Sequence, residues 1–159
     1  MIFLTPCFCG SGLAYQACCG IYHAGEAEPA GAEALMRARY SAFVTKNESY
    51  LLSTWATKTR PSVLDLSGDR TVWQKLEIIS TQLGQEGESE GWVEFKAHYQ
   101  LDSASHLMQE RSYFQHTSGR WHYVDGVVQF LKHALSEKPG KNAPCFCGSG
   151  KKFKRCCGR

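Results

Sequence analysis

The chain carries one cysteine pattern twice: two cysteines around a single residue, an eight-residue gap, then an adjacent cysteine pair. The first copy places Cys7, Cys9, Cys18 and Cys19, and the second Cys145, Cys147, Cys156 and Cys157. In each copy Gly-Ser-Gly follows the second cysteine, an aromatic residue stands midway (Tyr15, Phe153) and a glycine closes the unit. All eight cysteines of the 159 residues fall in these two stretches. Disulfides suit the pattern badly, because bridging adjacent cysteines or a Cys-x-Cys pair strains the bond geometry. Metal binding or redox chemistry remains. Zinc fits, since four thiolates at about 2.3 Å complete a closed tetrahedral site; an iron–sulfur cluster is the alternative that a four-cysteine set leaves open. Gly-Ser-Gly permits a tight turn at positive φ and aims backbone N–H groups at the sulfurs.

Energetics favour a metal at the second copy. Ordering each residue of such a stretch costs about 1–2 kcal/mol for the backbone alone. Burial of Phe146 and Phe153 returns only about 1.5–3 kcal/mol apiece. Structural zinc contributes an apparent 10–16 kcal/mol, roughly, in small zinc peptides.

The run CFCGSGKKFKRCCG resembles the SEC-C motif, the zinc-binding tail of the bacterial translocation ATPase SecA. The resemblance implies two zinc ions per chain, one on Cys7, Cys9, Cys18 and Cys19 and one on Cys145, Cys147, Cys156 and Cys157. His23 follows the first copy and reads as a surface histidine rather than a replacement for Cys19.

A hydrophobic fraction of 43% is enough for one core, and no apolar run approaches the roughly 18 residues of a membrane span. The opening MIFLTPCFCG has no basic segment and no long apolar region, so no secretory signal is expected. Thiol-rich and metal-spaced, the chain reads as cytoplasmic. The net charge of +3 is unevenly spread. From Lys132 onward, Lys132, Lys138, Lys141, Lys151, Lys152, Lys154, Arg155 and Arg159 stand against Glu137 alone, so the rest of the chain is net acidic.

Three units are expected: a knuckle over residues 1–23, a central domain over 30–135 and a second knuckle over 142–159. HAGEAEPAG (23–31) reads as a linker. Over Ala32–Thr45, Ala32, Leu35, Met36, Tyr40 and Phe43 share one stripe at about 100° per residue, the mark of an amphipathic helix. Arg39 falls inside that stripe and Arg37 on the opposite side, so Arg39 needs a carboxylate partner or an exit to solvent. Tyr50–Trp55 suggests a second short helix. The period then shifts towards two. Strands are expected around Leu76–Thr81, over Trp92–Leu101, over His106–His116 and, after a Ser118-Gly119 turn, over Arg120–Val124.

Helices followed by a meander of antiparallel strands make an α+β domain, with the helices on one side of a curved sheet. ERSYFQHTSGRWHYVDG resembles the cystatin-like superfamily of nuclear-transport-factor-like domains. ALMRARYSAFVTKNESYLLSTW, with the two flanking SEC-C motifs, resembles the YchJ-like family. The superfamily implies a cone whose concave face can hold a small ligand. Glu110 shares a strand face with Met108 and Phe114, so an Arg39–Glu110 ion pair inside the cone is expected, with Asp125 as the alternative partner. His98 lies on a polar strand face, and alternation sends His122 to the face opposite Trp121 and Tyr123. No nucleophile, base and orienter can be assembled from strand parity alone, which argues against an enzyme.

Lys151, Lys152, Lys154 and Arg155 lie between the second set of ligands, whereas the matching stretch of the first copy, Leu13–Ala17, is uncharged. The first knuckle is therefore expected to dock on the protein body or a homologous chain, and the second to face an acidic partner. The SecA resemblance implies an acidic, chaperone-like protein, or else the ribosome. Stacking platforms are scarce beside these lysines, so nucleic acid would be bound without sequence specificity. The alternative function is a small-molecule-binding or enzymatic cone capped by structural zinc knuckles.

Overall fold

A computed structural model of the chain describes residues 4–131 together with Asn142, Lys152 and Arg155. The second knuckle, with Cys145, Cys147, Cys156 and Cys157, and the cations Lys151 and Lys154 lie outside the described residues.

Four long antiparallel strands form one sheet in the order β1-β2-β3-β4: β1 (Val72–Leu83), β2 (Glu90–Leu101), β3 (Ala104–Thr117) and β4 (Arg120–Leu131). Three helices precede them, α1 (Cys19–His23), α2 (Ala32–Val44) and α3 (Glu48–Ser53). The architecture is the α+β arrangement expected, helices first and meander second. The alternation in β2 sends Val93, Phe95 and Ala97 to the core. On β3 the inward residues are Glu110, Ser112 and Phe114, paired across the ladder with Phe95, Val93 and Gly91 respectively. Two register shifts in β1 and one in β4 bend the sheet around α2.

β4 continues to Leu131, beyond the expected end at Val124. A bulge accounts for the difference: Phe114 pairs with Tyr123 but Tyr113 with Asp125, so Val124 is the extra residue and the alternation restarts out of phase. At its other end β4 gains a short neighbour. Trp55 forms a parallel bridge to Tyr123, with Ala56 N donating to Tyr123 O and Tyr123 N to Thr54 O. That bridge ends α3 before Trp55, while the Asn47 side chain, accepting from Tyr50 N at 3.1 Å, starts it earlier than the apolar pattern does.

Helix α2 is buried on two sides. Leu35, Met36, Arg39 and Tyr40 face the sheet, and Ala38, Ser41 and Ala42 are also fully enclosed. The second face is made of small residues, which let the N-terminal knuckle approach closely; buried Cys7, Cys9 and Cys19 join the same core.

The start of α2 is set by the first hairpin. Ala32 N donates to Gly84 O at 2.9 Å, taking the place of a side-chain cap. Gly84 stands at φ +85°, and a Cβ there would meet the Ala32 Cβ at 2.7 Å; a Cβ on Gly91 would collide with the Gly84 backbone. Gly84→Ala is therefore expected to lose about 2–3 kcal/mol in urea unfolding. Gly87→Ala, also at positive φ (+88°) but with nothing within 4 Å, should lose only about 1 kcal/mol. Equal losses would remove helix packing as the cause.

Candidate metal centre and cone cavity

The first knuckle is a miniature hairpin followed by helical turns. Pro6 and Ala14 form an antiparallel bridge, Cys7 N donates to Leu13 O at 2.8 Å and Tyr15 N to Thr5 O at 2.8 Å. Gly10 (φ +78°) and Gly12 (φ +81°) turn the chain at positive φ, the conformation expected of Gly-Ser-Gly. A 3₁₀ turn (Tyr15–Ala17) then delivers Cys18, and α1 begins on Cys19.

Together these turns bring the four sulfurs of Cys7, Cys9, Cys18 and Cys19 within 4.8 Å of one another. All four are free thiols, so the expectation against disulfides holds at this copy. The Cys9 and Cys18 Sγ atoms are 3.7 Å apart. A tetrahedron of thiolates at about 2.3 Å from a metal has edges of about 3.8 Å. The cluster could therefore hold a metal ion with little rearrangement.

Surrounding groups favour charge on the Cys9 sulfur and oppose it on Cys18 and Cys19. The neighbouring Cys19 thiol draws the Cys9 thiol down to about 4, against burial, with the Ser11 hydroxyl and backbone N–H and Cys7 adding to it. The same bond pushes Cys19 upward. Burial pushes Cys18 up, while the Ser11 hydroxyl, 3.2 Å from its sulfur, opposes. Three of the four cysteines are buried, a degree of enclosure that suits a closed metal site.

Contacts to α2 hold this cluster in place, and sequence reasoning missed most of them. Arg37 faces away from the sheet as expected, yet it lands on the knuckle: Nη1 donates to Cys9 O at 2.8 Å and Nε pairs with Glu33 at 3.0 Å. Ser41 Oγ lies 3.8 Å from Cys7 Sγ. His23 is not the surface residue expected. It is half-buried, with Nε2 2.8 Å from Ala38 O and Nδ1 2.7 Å from Tyr15 OH. Because a carbonyl only accepts, Nε2 carries the proton and Nδ1 accepts from Tyr15. His23 belongs to the junction, and the sulfur cluster is complete without it.

The cone contains the other candidates. Arg39 is 3% exposed and Glu110 9%, and both line a cavity of about 170 Å³. The expected Arg39–Glu110 ion pair does not form. Arg39 Nη1 donates to Leu51 O and Thr54 Oγ1, each at 2.8 Å, and the guanidinium lies over the Trp55 and Tyr123 rings, 5.0 and 4.6 Å from their centroids. Tyr123 comes between the charges: its hydroxyl donates to Glu110 Oε1 at 3.0 Å, and Ser112 Oγ donates to the same oxygen at 2.8 Å. Burial brings Arg39 down to about 10, and Tyr123, Tyr50 and Glu110 hold it up. Asp125 is not the alternative partner either. It is exposed, because the bulge at Val124 aligns it with outward-facing Tyr113. His98 binds Glu77 at 2.6 Å on the outer face, and His122 contacts Thr117 at 3.1 Å. Neither reaches the cavity.

Burial lowers the His23 pKa below its ordinary value, against the bond to Ala38 O. The unfolded chain then takes the proton first. The stability His23 supplies is complete above about pH 6.5 and is lost as pH falls through the lower folded value. His23→Asn should cost about 1 kcal/mol at neutral pH. The gap between wild type and variant, measured by urea unfolding, should narrow as pH falls below about 6.5. A gap independent of pH would show that His23 protonation does not matter to the junction.

Comparisons with known proteins agree with this architecture. The family description "YchJ, middle NTF2-like domain" matches residues 31–126, and the SEC-C motif matches 5–21 and 142–159. A UPF0225 protein of Serratia proteamaculans is 42% identical over 160 residues, spanning 96% of this chain and 97% of its own. One from Vibrio vulnificus is 38% identical over 169 residues, spanning 97% and 99%. Among solved structures, the solution structure of a SEC-C motif containing protein from Rhodopseudomonas palustris superposes with a TM-score of 0.68 at 32% identity, over 77% of this chain and 98% of that one. The crystal structure of one from Psychrobacter arcticus gives 0.60 at 31% identity, over 99% and 98%. With a docked cysteine knuckle, an NTF2-like cone and relatives matched over nearly their whole length, this chain belongs to the YchJ-like (UPF0225) family.

Proposed function

We propose that each cysteine set holds one zinc ion as a closed structural site, and that the protein is a cytoplasmic binding adaptor whose C-terminal knuckle presents Lys151, Lys152, Lys154 and Arg155 to an acidic protein. The observation that carries the metal reading is the sulfur geometry of the first knuckle: four thiols within 4.8 Å, three of them buried against α2. Zinc suits an all-thiolate tetrahedron with no redox duty. Support for a second site comes from the SEC-C motif matched at 142–159. No helix among the described residues is long and apolar enough to cross a membrane.

The two knuckles divide the work by surface chemistry. The first packs its buried cysteine face on α2 and so joins the protein body. In the second, Lys152 and Arg155 are exposed, and a set of cations whose spacing a folded metal site would fix is suited to an acidic protein surface.

Metal analysis of purified protein should return two zinc ions per chain. Cys18→Ser and Cys156→Ser should each lower that by one. Iron in place of zinc, or metal content unaffected by either change, would overturn the metal reading.

The partner reading is tested by affinity capture with mass-spectrometric identification. Wild type should retain an acidic protein that the Lys151→Glu, Lys152→Glu, Lys154→Glu variant loses. Capture of ribosomes with steep salt dependence would transfer the reading to the ribosome. An unchanged set of partners would remove the basic face from the function.

A further inference from the structure

We propose that the cone cavity is a binding site for a one-ring aromatic carboxylic acid that also carries a hydroxyl or amino group, with the carboxylate on Arg39 and the donor group on Glu110. The site is independent of the zinc and partner readings, since it uses neither knuckle.

Size sets the first limit. The cavity measures about 170 Å³, close to the roughly 150 Å³ apolar cavity that accepts benzene in an engineered protein. A nucleotide or a multi-ring compound needs a larger pocket, on the order of 300 Å³ or more. The walls are aromatic and apolar, with Trp55, Trp73, Tyr40, Phe43 and Phe95 among them, which suits a flat ring.

Charge sets the second. Among the described residues the cavity contains one buried cation, Arg39, and one buried anion, Glu110, that are not bonded to each other. Arg39 engages only Nη1 with protein acceptors, leaving Nη2 and Nε without an acceptor among the described residues. A guanidinium edge in an apolar cavity is costly to leave unpaired, and a carboxylate matches its fork with two parallel bonds. Glu110 receives Ser112 and Tyr123 at Oε1, so among the described residues Oε2 is without a donor. A ligand that offers only a carboxylate would leave Oε2 unmet; one that also carries a hydroxyl or amino group satisfies both ends.

The cavity is also shaped around the carboxylate. Gly126 stands opposite Ser112 on β4, and a Cβ there would collide with the Glu110 carboxylate, reaching its Cδ at 2.8 Å. A side chain at this position would displace Glu110 from the place where it meets Tyr123.

The test titrates the three hydroxybenzoate isomers, the matching hydroxybenzyl alcohols and benzoate into the ¹⁵N-labelled full chain, reading the indole N–H signals of Trp55 and Trp73. At least one hydroxybenzoate should shift both signals saturably and bind about tenfold or more tightly than its alcohol and than benzoate, the size of one charge-assisted hydrogen bond. Arg39→Gln, which removes the charge, should remove the preference for acid over alcohol. Ala97→Leu, which fills the cavity, should abolish binding of the whole series. No saturable shift with any isomer, equal affinity for acid and alcohol, or undiminished binding by folded Ala97→Leu would each overturn the proposal. Should either variant fail to fold, the ligand series on wild type decides alone.

Discussion

Helix α2 is the element on which both halves of this protein depend, because it is packed from two sides at once. Its large residues press into the curved sheet, and its small ones accept the cysteine knuckle, with Arg37 reaching Cys9 O and His23 reaching Ala38 O across the junction. A metal-sized cluster that would otherwise be an appendage is thereby built into the core. Its folding energy is shared with the domain, since whatever organises Cys7, Cys9, Cys18 and Cys19 also buries Ala38, Ser41 and Ala42.

The same helix carries the one buried cation of the cone among the described residues. Arg39 is held by Leu51 O, Thr54 Oγ1 and two aromatic faces rather than by a carboxylate. Tyr123 links that cation to Glu110 without letting the two charges meet. Tyr123 is positioned in turn by its backbone bonds to Thr54 and Ala56 and by the bulge that follows it. An irregular strand and a helix end thus determine the polarity of the cavity. A direct ion pair would have neutralised both groups locally; their separation keeps hydrogen-bonding capacity available inside an apolar space.

Much of this was legible in the residues. Thiol spacing identified the four cysteines that cluster, and Gly-Ser-Gly identified the turn that shapes the cluster. The strict alternation from Trp92 identified the inward face of β2, and the position of Arg39 within the apolar stripe marked a charge that would be buried. Three things were hidden. The second packing face of α2 consists of alanine and serine, which look alike whether buried or exposed. The bulge at Val124 shifts the period by one residue, which a fixed alternation places wrongly, and with it Asp125. The bonding of Arg39 depends on carbonyl and hydroxyl groups presented by the end of α3, and backbone acceptors leave no trace in side-chain identity.

The sequence by itself determined which four cysteines of the first set come together and which segments are helix and strand, because those features are local: thiol spacing, turn glycines and hydrophobic period act within a few residues. Only the tertiary structure decided that the first knuckle is part of the core, that His23 joins it to α2, and that Arg39 and Glu110 share a cavity without pairing. Those outcomes rest on contacts between residues distant in the chain, whose distances are set by how helix, sheet and knuckle pack.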